Sequence, residues 1–209
     1  MNGRRNPEAG FTVIELLVVI VLLAVIAVPA GNAVIGILHN TDATNARMAA
    51  SHDAQISAAY FAADVASTGV QLSGGSGLGQ SVEQNVAYNA GLFPCGTAGT
   101  PPATLRLAWD EYTLTGGTVS PSRVVVSYVV EAIGTGHELH RIRCQGGTTP
   151  TSDVVVAHQL TAAVPVVTCS SACTAAVPVP QRVSLTLSLT DPGGSGTYAV
   201  QLTGQRRQT

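Results

Sequence analysis

The sequence contains no lysine: all ten basic residues are arginines, set against 12 acids, for a net charge of −2. No block of like charge occurs. Broad electrostatic capture of nucleic acid is therefore not indicated. Charged residues make up only 11% of the chain, where about 25% is usual for a soluble globular protein. Catalytic signatures are also missing. There is no Gly-x-Ser-x-Gly elbow. The glycines of "SGGSGLG" lack the strand-before, helix-after setting of a phosphate loop. Cys169 and Cys173 stand in a CxxxC spacing, but no second tight Cys/His pair completes a zinc-ribbon pattern. The two acids of "WDEY", Asp110 and Glu111, are too few for a calcium loop. His137 and His140, in "HELH", lie on a strand-like stretch, where a three-residue step points them to opposite faces. They read as surface histidines. No metal, cofactor or internal repeat is assigned, and the chain is not read as an enzyme.

What the sequence does have is one long apolar run. From Leu16 to Ala30 no polar side chain occurs. As a helix, residues 11–38 cover roughly 42 Å, more than the roughly 30 Å of a hydrocarbon core. Arg4 and Arg5 precede the run and should stay in the cytoplasm, which places the C-terminal bulk outside. A secretory signal peptide is the competing reading, with "AVPAGNA" as its cleavage region. It leaves two features unexplained: Glu15 inside the run and the small Ala9-Gly10 pair before it. A carboxylate in a helix centre costs on the order of 3 kcal/mol on insertion scales. Glu15 lies nearer the edge, and a positive partner would relieve it.

Cys95, Cys144, Cys169 and Cys173 all follow the apolar run. An even count there suggests an exported, oxidising compartment; four buried thiols are the alternative. Four cysteines allow three pairings. Proximity favours Cys169 with Cys173, leaving Cys95 with Cys144.

Residues 41–67 are rich in alanine, with no proline. Met48, Ala49, His52, Ile56, Ala59, Tyr60 and Ala63 recur at helical steps and are expected on the buried face, with Arg47, Asp53, Gln55 and Asp64 outward. The segment reads as a continuation of the apolar helix, kinked or loosened at Pro29, Gly31 and Gly36. Beyond it the chain is β-rich. "TLRLAW", "SRVVVSYVVE", "HELHRIRC", "DVVVAHQL", "QRVSLTLSLT" and "GTYAVQLTG" are alternating or β-branched runs, parted by Gly- and Pro-rich segments. In "SLTLSLT", Val183, Leu185, Leu187 and Leu189 share one face. No helical pattern separates the runs, so the sheet should be mainly antiparallel. A sheet laid on the helix is an α+β domain.

"GFTVIELLVVIVLLAVIAV" resembles the processing motif of type IV prepilins and type II secretion pseudopilins: Gly, Phe, three residues, Glu, then an unbroken apolar helix. Gly10, Phe11 and Glu15 occupy those positions. The resemblance implies a type IV pilin-like fold in four parts: a leader over 1–10, a transmembrane and filament-core helix over 11–38, its amphipathic continuation over 39–69, and an exported β-rich domain over 70–209. It implies that a prepilin peptidase cuts between Gly10 and Phe11 and methylates the Phe11 amino group. Glu15 would then pair with the Phe11 amino group of a neighbouring subunit and set helix register. The expected location is the inner membrane as a single pass, then a pilus or pseudopilus. Expected partners are other pilin or pseudopilin subunits, the inner-membrane assembly platform, and a secretion substrate or DNA at the filament tip. "DAQISAAYFAADV", with its hydrophobic-Ala-Asp pattern, "VSYVV", "ELHRIRC" and "QLTGQRR" are similar to the larger minor subunits, J-type in secretion and W-type in pili. The alternative is a membrane-anchored binding module outside any filament.

Overall fold

A computed structural model describes residues 12–69, 80–134, 136–162, 164–176, 178–191 and 196–207. Helix α1 runs over Val13–Ser67 and contains Pro29. It stays helical through Pro29, Gly31 and Gly36, so the expected loosening does not interrupt it. By internal contacts the chain divides into two units, Met1–Asn45 and Ala46–Thr209.

Eight strands follow: β1 Val82–Val86, β2 Ala103–Thr115, β3 Thr118–Ile133, β4 Gly136–Gln145, β5 Pro150–Leu160, β6 Val166–Cys169, β7 Arg182–Thr190 and β8 Thr197–Gln205. They form one sheet in the order β1-β2-β3-β4-β5-β7-β6, with β8 also on β7. Every pairing is antiparallel. The architecture is the expected α+β arrangement of a long apolar helix followed by an antiparallel sheet. Six strands coincide with the β-branched and alternating runs. β1 ("VEQNV") and β6 ("VVTC") were not anticipated; they are too short to show a period.

The sheet has a seam. β5 meets β7 through the single pair Leu160↔Leu189, helped by the Thr161 N–H donating to the Ser188 carbonyl at 2.9 Å. Helix α1 contacts both sides of that seam. Ser57 Oγ donates to the Val156 carbonyl on β5. Gly204 on β8 lies against the Val65 side chain.

Both faces of the central strands are covered. Phe61 and Val65 of α1 pack on Leu105, Leu107, Tyr128, Leu139, Leu185 and Leu187. The other face holds a smaller cluster in which Phe93 and Cys95, from the segment between β1 and β2, cover Val125, Val129 and Ile142. Double coverage explains why "VVVSYVV" is a continuous apolar run without alternation. In β7 the alternation expected of Val183, Leu185, Leu187 and Leu189 is realised: all four are buried.

The helix face differs from expectation. Ser57, Phe61, Asp64, Val65 and Thr68 are buried, whereas Met48, Ala49, His52, Ala59, Tyr60 and Ala63 are exposed. In so alanine-rich a helix, apolar residues lie on every side and mark no face. The bulk of Phe61 and Val65, and the polar partners awaiting Asp64, decide which side turns inward.

Gly204 sets how closely helix and sheet approach. A Cβ there would collide with the Val65 side chain. Gly204→Ala should lower stability by about 1–3 kcal/mol, the usual cost of overpacking. Adding Val65→Ala should recover part of the loss. Thermal unfolding of the single and double variants checks this.

Candidate functional site

Two regions draw the functional candidates together: the start of α1 and the contact of α1 with the sheet. Gly10 and Phe11 lie outside the described residues. Glu15 is in the first turn of α1. Its backbone N–H donates to Thr12 Oγ1 at 3.3 Å, and Thr12 Oγ1 donates to Glu15 Oε2 at 3.4 Å. The Thr-x-x-Glu spacing is that of a capping box, where the threonine side chain satisfies an otherwise unpaired helix N–H. A carboxylate there also faces the positive end of the helix dipole. The sequence reading gave Glu15 a role between helices and missed this role within its own. Thr12, three residues upstream, was the signal.

Past Glu15 no Asp, Glu, Lys or Arg occurs until Asp42. The side chains of Val13–Leu38 are all exposed. An 18-residue window there has a mean hydropathy of 3.0, and the helix is long and apolar enough to cross a membrane. An uninterrupted exposed apolar surface of this size calls for a non-aqueous surrounding.

The second region is built around Asp64. Arg141 on β4 donates from Nε to Oδ2 at 2.7 Å and from Nη2 to Oδ1 at 2.6 Å. Tyr128 on β3 donates its hydroxyl to Oδ2 at 2.7 Å. The Arg141 guanidinium lies over the Tyr60 ring, 4.9 Å from its centroid. The Phe61 and Tyr128 rings meet edge-on at 5.5 Å. A fork-on-fork pair fixes direction as well as distance, so helix rotation and β4 register are set together. Burial would lower the Arg141 pKa, but the hydrogen bonds and charge of Asp64 outweigh it and raise it. Burial, then the Asp64 charge, hold the Tyr128 hydroxyl well above the ordinary tyrosine range.

A second buried pair holds the segment between β1 and β2. Arg106, with no exposed side-chain surface, meets Glu83 at 3.2 Å. It also donates to the carbonyls of Ala90 at 2.8 Å and Ala87 at 2.9 Å, and to Ser127 Oγ at 3.2 Å. The four cysteines form Cys95–Cys144 and Cys169–Cys173. The first ties this segment to β4; the second closes the loop after β6. By loop length alone, 49 residues against 4, the first restricts the unfolded chain more.

In "WDEY", each acid has an arginine: Asp110 pairs with Arg123, and Glu111 with Arg143 at 3.0 Å. His137 lines a cavity of about 500 Å³ between α1 and the sheet, with Ala49, Ala54, His158, Leu187 and Tyr198. His140 corrects the surface reading. Its side chain is only 13% exposed and is surrounded by carboxylates. They come from three strands, whose register the sequence does not display.

Among known protein families, the chain matches the prokaryotic N-terminal methylation motif over residues 5–31. That span includes Gly10, Phe11 and Glu15. No curated protein and no solved structure matches the chain. The motif supports a relationship to the type IV pilins and pseudopilins. It implies processing by a prepilin peptidase and assembly with other pilins.

Two measurements probe the Asp64 contact. Asp64→Ala should destabilise the domain by about 3–5 kcal/mol, because it leaves Arg141 buried without its counter-charge; denaturant unfolding reads this directly. The second is alkaline. Tyr128 holds its proton more tightly folded than unfolded. That contribution is therefore full below the unfolded value of about 10 and is lost as pH rises above it. Unfolding curves from pH 8 to 11 should show wild-type stability falling above pH about 10, and Tyr128→Phe falling less steeply.

Proposed function

We propose that this chain is a minor pilin or pseudopilin, an assembly subunit and not an enzyme, placed at or near the tip of a type IV pilus or type II secretion pseudopilus to prime its assembly. The observation that carries this reading is the methylation motif over residues 5–31. It lies at the border of an apolar helix whose side chains are exposed. The leader over 1–10 would be removed between Gly10 and Phe11 on the cytoplasmic side, and the new Phe11 amino group methylated. The apolar half of α1 would wait in the inner membrane, with the β domain outside the cytoplasm. The two disulfides fit that side, since such bonds persist in oxidising compartments.

The minor-subunit reading rests on the Ala-Asp step at Ala63 and Asp64, on the chain length, and on the large sheet. A minor subunit enters a filament in few copies and meets dissimilar neighbours. Its proposed partners are other pilins, the assembly platform, and a secretion substrate or DNA at the tip. Glu15 has two physical tasks in this scheme. It caps its own helix with Thr12, and it offers a carboxylate to the Phe11 amino group of a neighbouring subunit. In low dielectric such a charge pair outweighs its counterpart in water.

Mass spectrometry of the membrane form, made together with a prepilin peptidase, should find a chain beginning at methylated Phe11. An intact Met1 terminus, or a cut near Ala33, would exclude the pilin reading. Glu15→Gln keeps the shape and removes the charge. It should be processed normally yet enter filaments poorly, while Thr12→Ala, which removes only the cap, should still be incorporated. Normal incorporation of Glu15→Gln would remove the inter-subunit role. A processed chain that never enters filaments would favour the anchored binding module.

A further inference from the structure

The cavity of about 500 Å³ between α1 and the sheet lies wholly within the unit Ala46–Thr209. Protein interiors pack like organic crystals and rarely leave such a space. Its size falls in the range of roughly 300–1,000 Å³ typical of small-molecule sites. Ala49, Ala50 and Ala54 line it from the helix, and Leu187, Leu189 and Val200 from the sheet. Side chains as short as alanine leave the helix wall open. Ala49 and His158 are exposed, so the cavity reaches solvent.

Two acids stand in its wall, Asp53 and Glu138. Asp53 is occupied: the His158 backbone N–H donates to it at 3.1 Å, and His158 Nδ1 lies 2.8 Å away. Glu138 is not. Its Oε2 is 3.6 Å from His140 Nε2 and its Oε1 is 3.9 Å from His158 Nε2, both beyond hydrogen-bond reach. Across the ladder it faces Glu131, a like charge that repels it. Among the described residues lining the cavity there is no arginine, and the chain has no lysine. Burial, then the carboxylates of Asp191 and Asp53, raise the Tyr198 hydroxyl pKa at the same wall. The backbone is bent at this point. His137 pairs with Leu160 and Leu139 with Ala157, so His158 and Gln159 together oppose Glu138. Two residues against one form a β-bulge, which re-aims side chains and recurs beside functional sites. Gln159 has a φ of 58°, uncommon for a residue with a Cβ. His158, Gln159 and Glu138 all line the cavity.

We propose that this cavity binds a small organic cation, a primary ammonium carried on an apolar body. The ammonium donates to Glu138 and offsets its repulsion from Glu131. The body lies between the alanines of α1 and the leucines of β7. Charge selects the ligand: the two carboxylates repel an anion, and a neutral molecule of the same shape lacks the charge-assisted bond. Size selects it as well. The lysine side chain of a partner protein would fill only part of the space, so the ligand is a free molecule. This inference rests on the cavity and not on the methylation motif, and it stands whether or not the chain enters a filament.

The test uses the full chain in a non-ionic detergent at neutral pH, with empty micelles as the blank. The probe is phenethylamine, titrated by calorimetry and by thermal unfolding. Phenethyl alcohol and 3-phenylpropionate are its neutral and anionic counterparts. Phenethylamine should saturate one site per chain and raise the unfolding temperature. The alcohol and the acid should bind at least about 10-fold more weakly, as the loss of a hydrogen bond to a charged group requires. Glu138→Gln is nearly isosteric and should weaken the amine by a similar factor. Ala49→Leu, on the exposed helix wall, should block it by filling the space. Glu111→Gln, remote from the cavity, should change nothing. Absence of saturable amine binding would overturn the proposal. So would equal binding of the alcohol or the acid, or amine binding that survives both Glu138→Gln and Ala49→Leu in chains that unfold as cooperatively as the wild type.

Discussion

The carboxylate of Asp64 is the point through which the folded domain is organised. It comes from the helix, and its partners come from two strands: Tyr128 on β3 and Arg141 on β4. A charge buried there costs several kcal/mol unless its lone pairs are met, so only one rotation of the helix is affordable. With that rotation fixed, Phe61 and Val65 enter the main core. Gly204 must then lie beneath Val65, where a larger residue has no room. The helix face, the β8 approach and the sheet's main core all follow from one polar contact.

The opposite face of the sheet repeats this logic with different residues. Arg106 is buried beside Glu83 and reaches two carbonyls of the segment that covers Val125 and Ile142. Burial lowers the Arg106 pKa while Glu83 opposes the shift. Each face of the sheet is therefore closed by one buried ion pair that specifies what lies over it. The Cys95–Cys144 bond makes the second cover covalent.

How much of this was legible depended on the range of the signal. The N-terminal motif is local: Gly10, Phe11 and Glu15 stand in fixed register along the chain, and so they are readable without a fold. Strands rich in valine and leucine were readable for the same reason. β1 and β6, of five and four residues, carry too little pattern. The helix face is not legible from polarity, because the polar Asp64 turns inward to partners on β3 and β4 that lie far away in the chain. The surroundings of His140 are not legible either, because Glu131, Glu138 and Asp153 meet it only once β3, β4 and β5 are in register. Long-range polar contacts are where a sequence pattern ends and tertiary structure begins.

The seam between β5 and β7 has a mechanical meaning. The sheet is two leaves joined by one residue pair and one adjoining hydrogen bond, and α1 touches the leaf on either side through Ser57 and Val65. Such a helix is a splint. A pull along its axis loads both leaves together and does not peel one from the other. The same geometry leaves shear across the seam as the weak direction, where a loaded domain would yield first.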